Sequence, residues 1–150
     1  MTQMHSRLLT DDAPRTFAVV FDQDEDVLPV LEEFATAHSV AGASFTGIGA
    51  FRDAALSLFD PESRTHVPIP VTEHTEVLSL TGNIALKDGQ PSVHMHAVLG
   101  RRDGSTVGGH VQRATVRPTL EVVVTEFPSP LTRRLDEARG LPVIDLDADR

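Results

Sequence analysis

The stretch TEVLSLTGNIALKDGQPSVHMHAVL, residues 75–99, says most about how this chain folds. Residues 75–86 and 91–99 are both rich in β-branched and large apolar side chains, which favour strands. Between them lies a short turn containing Asp88-Gly89, and an Asp-Gly pair between two such runs is typical of a β-hairpin. We therefore expect two neighbouring antiparallel strands.

The β pattern extends over most of the chain from residue 43 onward. Residues 65–71 can form only an edge strand, because Pro68 and Pro70 lack the backbone N–H that a central strand donates. Gly47 and Gly49 favour a bulge or a close backbone approach. The remaining strands are predicted at 16–21, 43–51, 55–60, from His110 to about Val116, and 118–127.

One main helix is predicted at residues 26–38, where apolar side chains recur at helical spacing after a run of acids. Residues 131–139 predict a second, short helix that ends at Gly140. The fold class is therefore α/β, more closely α+β. It is a single domain with a mainly antiparallel sheet, one main flanking helix and a short C-terminal helix.

The domain itself is expected to span residues 15–128. Residues 1–14 are polar and predict a flexible leader, and residues 129–150 hold the short helix and a tail. A sheet this large exposes more apolar surface than one helix of about 13 residues can cover. Self-association would cover the rest.

Three histidines point to a metal site. His94 and His96 lie two residues apart in a predicted strand, so their side chains share one face. His110 follows a turn and the pair Gly108-Gly109. Three imidazole ligands suit zinc or a related divalent ion and leave a coordination position open.

Whether His110 reaches the other two depends on the turn near residue 103. A three-residue turn at 102–104 pairs Arg101 with Ser105 and places His96 opposite His110. A two-residue turn at Asp103-Gly104 shifts His110 to the other face, and a bulge at the glycine pair would then be needed to restore it. Both registers are compatible with the sequence.

A non-functional interpretation also exists, since two histidines on one strand face are often ordinary surface residues. Among the other histidines only His74 has a position that suits a fourth ligand or proton donor. Glu76, an acid in a predicted strand, is the other candidate for proton transfer. A pair of glycines at 47–49 is not a dinucleotide-binding loop, because it has no third glycine and no following helix.

Composition excludes several classes of function. The formal net charge is −9, and the basic residues are scattered, so on charge grounds nucleic acid is not expected as a direct partner. The chain has no cysteine, which removes disulfides and thiolate chemistry and is compatible with a cytoplasmic location. No apolar run is long enough for a membrane span or a signal peptide.

The ordered motifs resemble one family. The stretch 76–84, the histidine strand at 91–99, Gly108-Gly109-His110, residues 119–122 and the upstream segment 48–51 are together similar to the plants and prokaryotes conserved (PPC) domain. The resemblance covers about residues 15–128. In plant nuclear proteins this domain lies beside AT-hooks, and this chain contains no Arg-Gly-Arg-Pro hook.

The resemblance implies a homotrimer and, in prokaryotic members, a metal generally taken as zinc. The ligands would be His94, His96 and His110. Two interpretations follow. In the first, the site binds a small molecule and acts on it; in the second, the metal is structural and the protein is a non-catalytic protein-interaction or DNA-associated regulatory module. A structural zinc would normally have four protein ligands.

Overall fold

The computed structural model describes residues 4–10, 12 and 14–148. Within these ranges the chain forms one nine-stranded sheet and one helix. In chain order the elements are β1 (His5–Thr10), β2 (Thr16–Phe21), α1 (Val27–Ala37), β3 (Gly42–Asp60), β4 (Thr65–Val71), β5 (Thr75–Lys87), β6 (Gln90–Gly100), β7 (Thr106–Glu126), β8 (Thr132–Asp136) and β9 (Leu141–Asp145).

Four long strands close the sheet on itself. β3 pairs with β5, β5 with β6, β6 with β7, and β7 again with β3, all antiparallel. The hairpin predicted at residues 75–99 is present as β5 and β6, joined by the turn at Asp88-Gly89. Two strands of the structure each combine two that the sequence predicted separately. β3 includes the strands predicted at 43–51 and 55–60, and β7 includes the strand from His110 to about Val116 and most of the strand at 118–127.

The core lies on one face of this sheet, under α1. Phe34, Leu31 and Val27 of the helix are each at most 1% exposed, and they pack against strand side chains such as Phe17 and Leu99. The helix was predicted at these residues because apolar side chains recur every three or four positions. The histidines lie on the opposite face of the sheet, where they line a cavity.

The predicted bulge and edge strand are both confirmed. The β3–β5 register shifts between Gly47 and Gly49, and a Cβ at Gly49 would overlap the backbone oxygen of Thr119. β4, with its two prolines, pairs only with β3 among the described strands.

Two expectations about the ends of the chain are wrong. The short helix at 131–139 does not form: those residues lie in β8 and the turn that joins it antiparallel to β9. β8 joins the main sheet beside β5, through Leu86 and Thr132. The 1–14 segment is also not simply a loose leader, because His5–Thr10 pairs with β2 as β1; residues 1–3, 11 and 13 lie outside the described ranges.

Candidate metal centre

Strand alternation in β6 places His94 and His96 on the face away from the core. Between and beyond them, Met95 and Ala97 are 1% and 3% exposed, and they belong to the hydrophobic core. The rings of His94 and His96 lie 5.0 Å apart between centroids. The spacing of two residues therefore brings both imidazoles to one surface, as the sequence predicted.

His110 joins them through the three-residue turn. The Arg101 amide donates to the Ser105 carbonyl at 2.8 Å, and His96 pairs directly with His110. The β6–β7 ladder runs without a shift through Gly108 and Gly109. The first of the two registers is thus the one adopted, and this ladder contains no bulge at the glycine pair.

The glycine pair has a different role, which is close packing of three strands. A Cβ at Gly109 would lie 2.8 Å from the Ser57 carbonyl oxygen on β3, and one at Gly108 would lie 2.9 Å from the Ala97 oxygen on β6. Larger residues would push β7 away from its two neighbours. His110 would then move away from His96.

The three histidines offer one nitrogen each within 4.8 Å of one another. Their remaining ring separations are 5.2 Å for His94–His110 and 5.6 Å for His96–His110. Two nitrogens bound to one zinc ion at about 2.0–2.1 Å are at most about 4 Å apart. Binding a common ion would therefore require the rings to turn toward one another, and a set of three imidazoles is chemically suited to a divalent ion.

The electrostatic state of the site also suits a cation. Partial burial is the largest cause that lowers the pKa of His110 to about 4, followed by the neighbouring charges of His94, His66 and His96. Burial likewise lowers the pKa of His94, with His96, Arg133 and His66 adding to the effect. Both imidazoles are therefore neutral at pH 7, which is the form that binds metal.

A cavity of about 640 Å³ opens beside the three histidines. This volume is within the range of small-molecule sites. Its walls combine these three histidines with apolar side chains and one arginine, Arg133, and no Asp or Glu of the described ranges lines it. The lining comprises Ser57, Leu58, Phe59, His66, Ser92, Val93, His94, His96, Gly108, Gly109, His110, Arg133, Leu141 and Pro142.

His66 is a site residue that the sequence analysis missed. Its ring lies 5.2 Å from that of His110, and its Nδ1 is 3.0 Å from the Oγ of buried Ser57. Ser57 in turn pairs with His110 across β3 and β7. His66 is not part of the three-histidine group, and its ring lies beside that of His110. Only the β3–β4 pairing brings it there, and no spacing in the sequence indicates it.

Arg133 is the second missed residue. It is only 6% exposed, and its Nη1 donates to the Ser92 carbonyl at 3.1 Å and to Ser92 Oγ at 3.4 Å. Its Nη2 donates to Asn83 Oδ1. Asn83 pairs with His94 across β5 and β6, and Arg133 lines the same cavity as the three histidines. The sequence analysis placed it in a helix, which gave no reason to connect it with the histidines.

The two candidates for proton transfer lie elsewhere. His74 and Glu76 are exposed at the start of β5 and do not line the cavity. Glu76 pairs with Gly100, whereas His96 pairs with Thr81, five residues further along β5. The structure therefore does not bring either residue together with the three histidines.

Comparison with known proteins decides the family. Residues 9–128 match the model of the Plants and Prokaryotes Conserved (PCC) domain, the family also abbreviated PPC. The chain belongs to this family. The matched region overlaps the domain that the sequence predicted at residues 15–128. The β8–β9 hairpin, which carries Arg133, lies beyond the matched region.

Solved structures of similar chains share the whole PPC fold. A metal-containing protein from Archaeoglobus fulgidus is 31% identical, with a TM-score of 0.81 and coverage of 96% of this chain and 99% of that one. A putative DNA-binding protein from Ralstonia eutropha JMP134 is 30% identical, with a TM-score of 0.81 and coverage of 87% and 90%. A PPC protein from Pyrococcus horikoshii is 27% identical, with a TM-score of 0.82 and coverage of 97% and 94%.

Two further observations complete the comparison. No curated protein matched this PPC chain. In the part of the chain that the structure describes, no helix has the length and apolar character required to cross a bilayer.

Proposed function

We propose that this PPC protein is a homotrimer that binds a divalent metal, zinc by preference, and presents it to a small molecule in the adjacent cavity. The observation that carries the proposal is the convergence of His94, His96 and His110 at the wall of a cavity of about 640 Å³. The Archaeoglobus relative, described as a metal-containing protein, supports the metal.

Three ligands distinguish this site from an ordinary structural zinc site. Within the described ranges, no fourth His, Asp or Glu joins the group. Structural zinc usually has four protein ligands, whereas three leave a position for an exogenous ligand. A divalent ion held here would act as a Lewis acid toward an oxygen-bearing ligand. This favours small-molecule binding over a purely structural metal.

The metal is tested by replacing one ligand and one unrelated histidine. We expect His96→Ala to lower zinc affinity by at least tenfold, because two imidazoles hold the ion less tightly than three. His74→Ala is the matched control, since that side chain is exposed and away from the cavity. Zinc content after depletion and reloading is measured by elemental analysis. Equal content in the two variants would refute the site.

The homotrimer is supported by apolar side chains on the exposed face of the sheet. Ile48, Leu78 and Val98 are 60%, 53% and 44% exposed, and they lie on β3, β5 and β6, which are neighbours in the sheet. Adjacent exposed apolar residues on one face favour burial against another protein surface. Second copies of the chain would supply that surface, and light scattering after gel filtration measures the mass.

Duplex DNA is not the partner that this proposal favours. The Ralstonia relative is described as a putative DNA-binding protein, but the present chain has a formal charge of −9. Phosphate backbones bind proteins mainly through released counterions at basic surfaces. We expect no salt-dependent binding to a fluorescent duplex in anisotropy titrations. A Kd below micromolar that weakens steeply with salt would establish DNA binding instead.

A further inference from the structure

We propose that Arg133 binds the oxyanion of the small molecule, so that the ligand is an organic acid bearing a carboxylate or phosphate. The inference rests on the proposed metal-linked cavity and names the chemical class of its ligand.

Arg133 is a buried cation without an acidic partner in the described ranges. Arg134, for example, pairs with Asp145 at 3.2 Å, whereas the side-chain hydrogen bonds of Arg133 within the described ranges go to Ser92 and Asn83. Burial without a counter-ion is costly, and here it lowers the pKa of the guanidinium. An anion in the cavity would remove that cost.

The guanidinium retains hydrogen-bond donors for such an anion. Its two terminal nitrogens are held by Ser92 and Asn83, whereas its Nε–H donates to no atom of the described residues. A guanidinium has five N–H donors in a rigid plane, which matches the oxygens of a carboxylate or phosphate. The bonds to Asn83 and Ser92 therefore fix the orientation of the plane without using all its donors.

The surrounding wall favours an anion with an apolar body. Phe59, Val93, Leu141 and Pro142 line the cavity, together with Arg133 and the three metal ligands. The β8–β9 hairpin provides both Arg133 and the pair Leu141 and Pro142. The β8–β9 hairpin thus supplies the positive charge of Arg133 and part of the apolar wall. The three histidines line the same cavity.

The test is a nuclear magnetic resonance titration of the full chain, once in its metal-free form and once in its zinc-loaded form. The titrants are sodium phosphate, sodium acetate and neutral acetamide. The signals followed are the Nε–H of Arg133 and the amides of Ser92 and His94. We expect phosphate or acetate to shift all three, and acetamide to leave the Arg133 signal unchanged. Comparison of the Kd values of phosphate and acetate then distinguishes a phosphate ligand from a carboxylate ligand.

Two variants separate recognition from general charge. Arg133→Met should weaken binding of the preferred anion by about 10–100-fold, the loss typical of one charged hydrogen-bonding group. Arg134→Met is the control: that side chain is 59% exposed and pairs with Asp145, so binding should change less than twofold. Arg133→Lys keeps the charge without the planar fork, and should bind at an intermediate level even if the Met variant does not fold.

Each outcome decides the proposal. Anion shifts in the wild type that vanish in Arg133→Met and persist in Arg134→Met support it. It is overturned if neither anion moves the Arg133 Nε–H signal, or if Arg133→Met binds as the wild type does. Zinc content, measured on the same samples, is a separate result: a chain that binds anions but no zinc contradicts the metal centre alone.

Discussion

The replacement of Gly82 by alanine tests the packing that holds His94 and His96 in place. Gly82 on β5 pairs with Met95 on β6, the residue between His94 and His96. A Cβ at this position would overlap the His94 carbonyl oxygen and lie 2.5 Å from Cζ of Phe45. Phe45 is 2% exposed, so its ring has no free space to move into. Both obstacles are rigid, because one is backbone and the other a buried ring.

The expected cost follows from that rigidity. Overpacking a well-filled core costs about 1–3 kcal/mol, and two rigid obstacles place Gly82→Ala near the upper end, about 3 kcal/mol. For a chain of this size that corresponds to a fall in Tm of about 6–12 °C. Since β6 must shift between its two histidines, we also expect zinc affinity to fall about tenfold or more.

Gly100→Ala is the matched control on the same strand pair. A Cβ at Gly100 would meet only the Leu78 side chain, at 3.2–3.3 Å, and Leu78 is 53% exposed and able to turn away. Alanine also reduces the entropy of the unfolded chain, which stabilises by about 0.4–1 kcal/mol. The two variants are compared by urea and thermal unfolding of the metal-free protein, followed by a zinc competition titration. If Gly82→Ala were as stable as Gly100→Ala and kept full zinc affinity, the close approach of β5 to β6 would be refuted.

Three further predictions concern other parts of the molecule. His66→Ala should weaken zinc binding by up to about tenfold without changing the stoichiometry, because His66 supports the ring of His110; an unchanged affinity in competition titrations would remove that role. Glu126 accepts two hydrogen bonds of 2.7 Å from Arg15, which lower its pKa below the ordinary 4.5, so this pair stabilises the fold above pH 4.5 and its contribution is lost as the pH falls through the lowered value. Glu126→Gln should therefore cost about 1–2 kcal/mol in urea unfolding at pH 7, and a deficit that persists undiminished at pH 3 would contradict this cause. Ile48→Asp should reduce the mass measured by light scattering toward that of one chain, and an unchanged mass would place the interface elsewhere.

The elements that the sequence predicts well depend on local patterns. The helix Val27–Ala37 follows from apolar side chains at helical spacing, and the β5–β6 hairpin follows from Asp88-Gly89 between two β-rich runs. His94 and His96 share a face for the same local reason, because side chains alternate along any strand. Such features need no knowledge of distant residues.

The segment at residues 131–139 shows where local patterns fail. Its leucines, arginines, glutamate and alanine have good helix propensity, but Thr132–Asp136 extends the sheet beside Leu86 and pairs with β9. Propensity differences are a few tenths of a kcal/mol per residue, so strand pairing outweighs them. Because a helix was predicted at these residues, nothing in the sequence indicated that Arg133 lies beside the three histidines.

The sequence alone determined the family resemblance, the sheet with its main helix, and the shared face of His94 and His96. The helix and the shared face could be predicted because helical spacing and strand alternation are set by neighbouring residues. The turn at residues 102–104 was compatible with two registers, and only the ladder from Gly100 to His96 selected the one that places His110 opposite His96. His66 and Arg133 reach the cavity through pairings with β3 and β5, far away along the chain. Their position is a property of the closed sheet, since a contact between distant residues depends on how every intervening strand is paired.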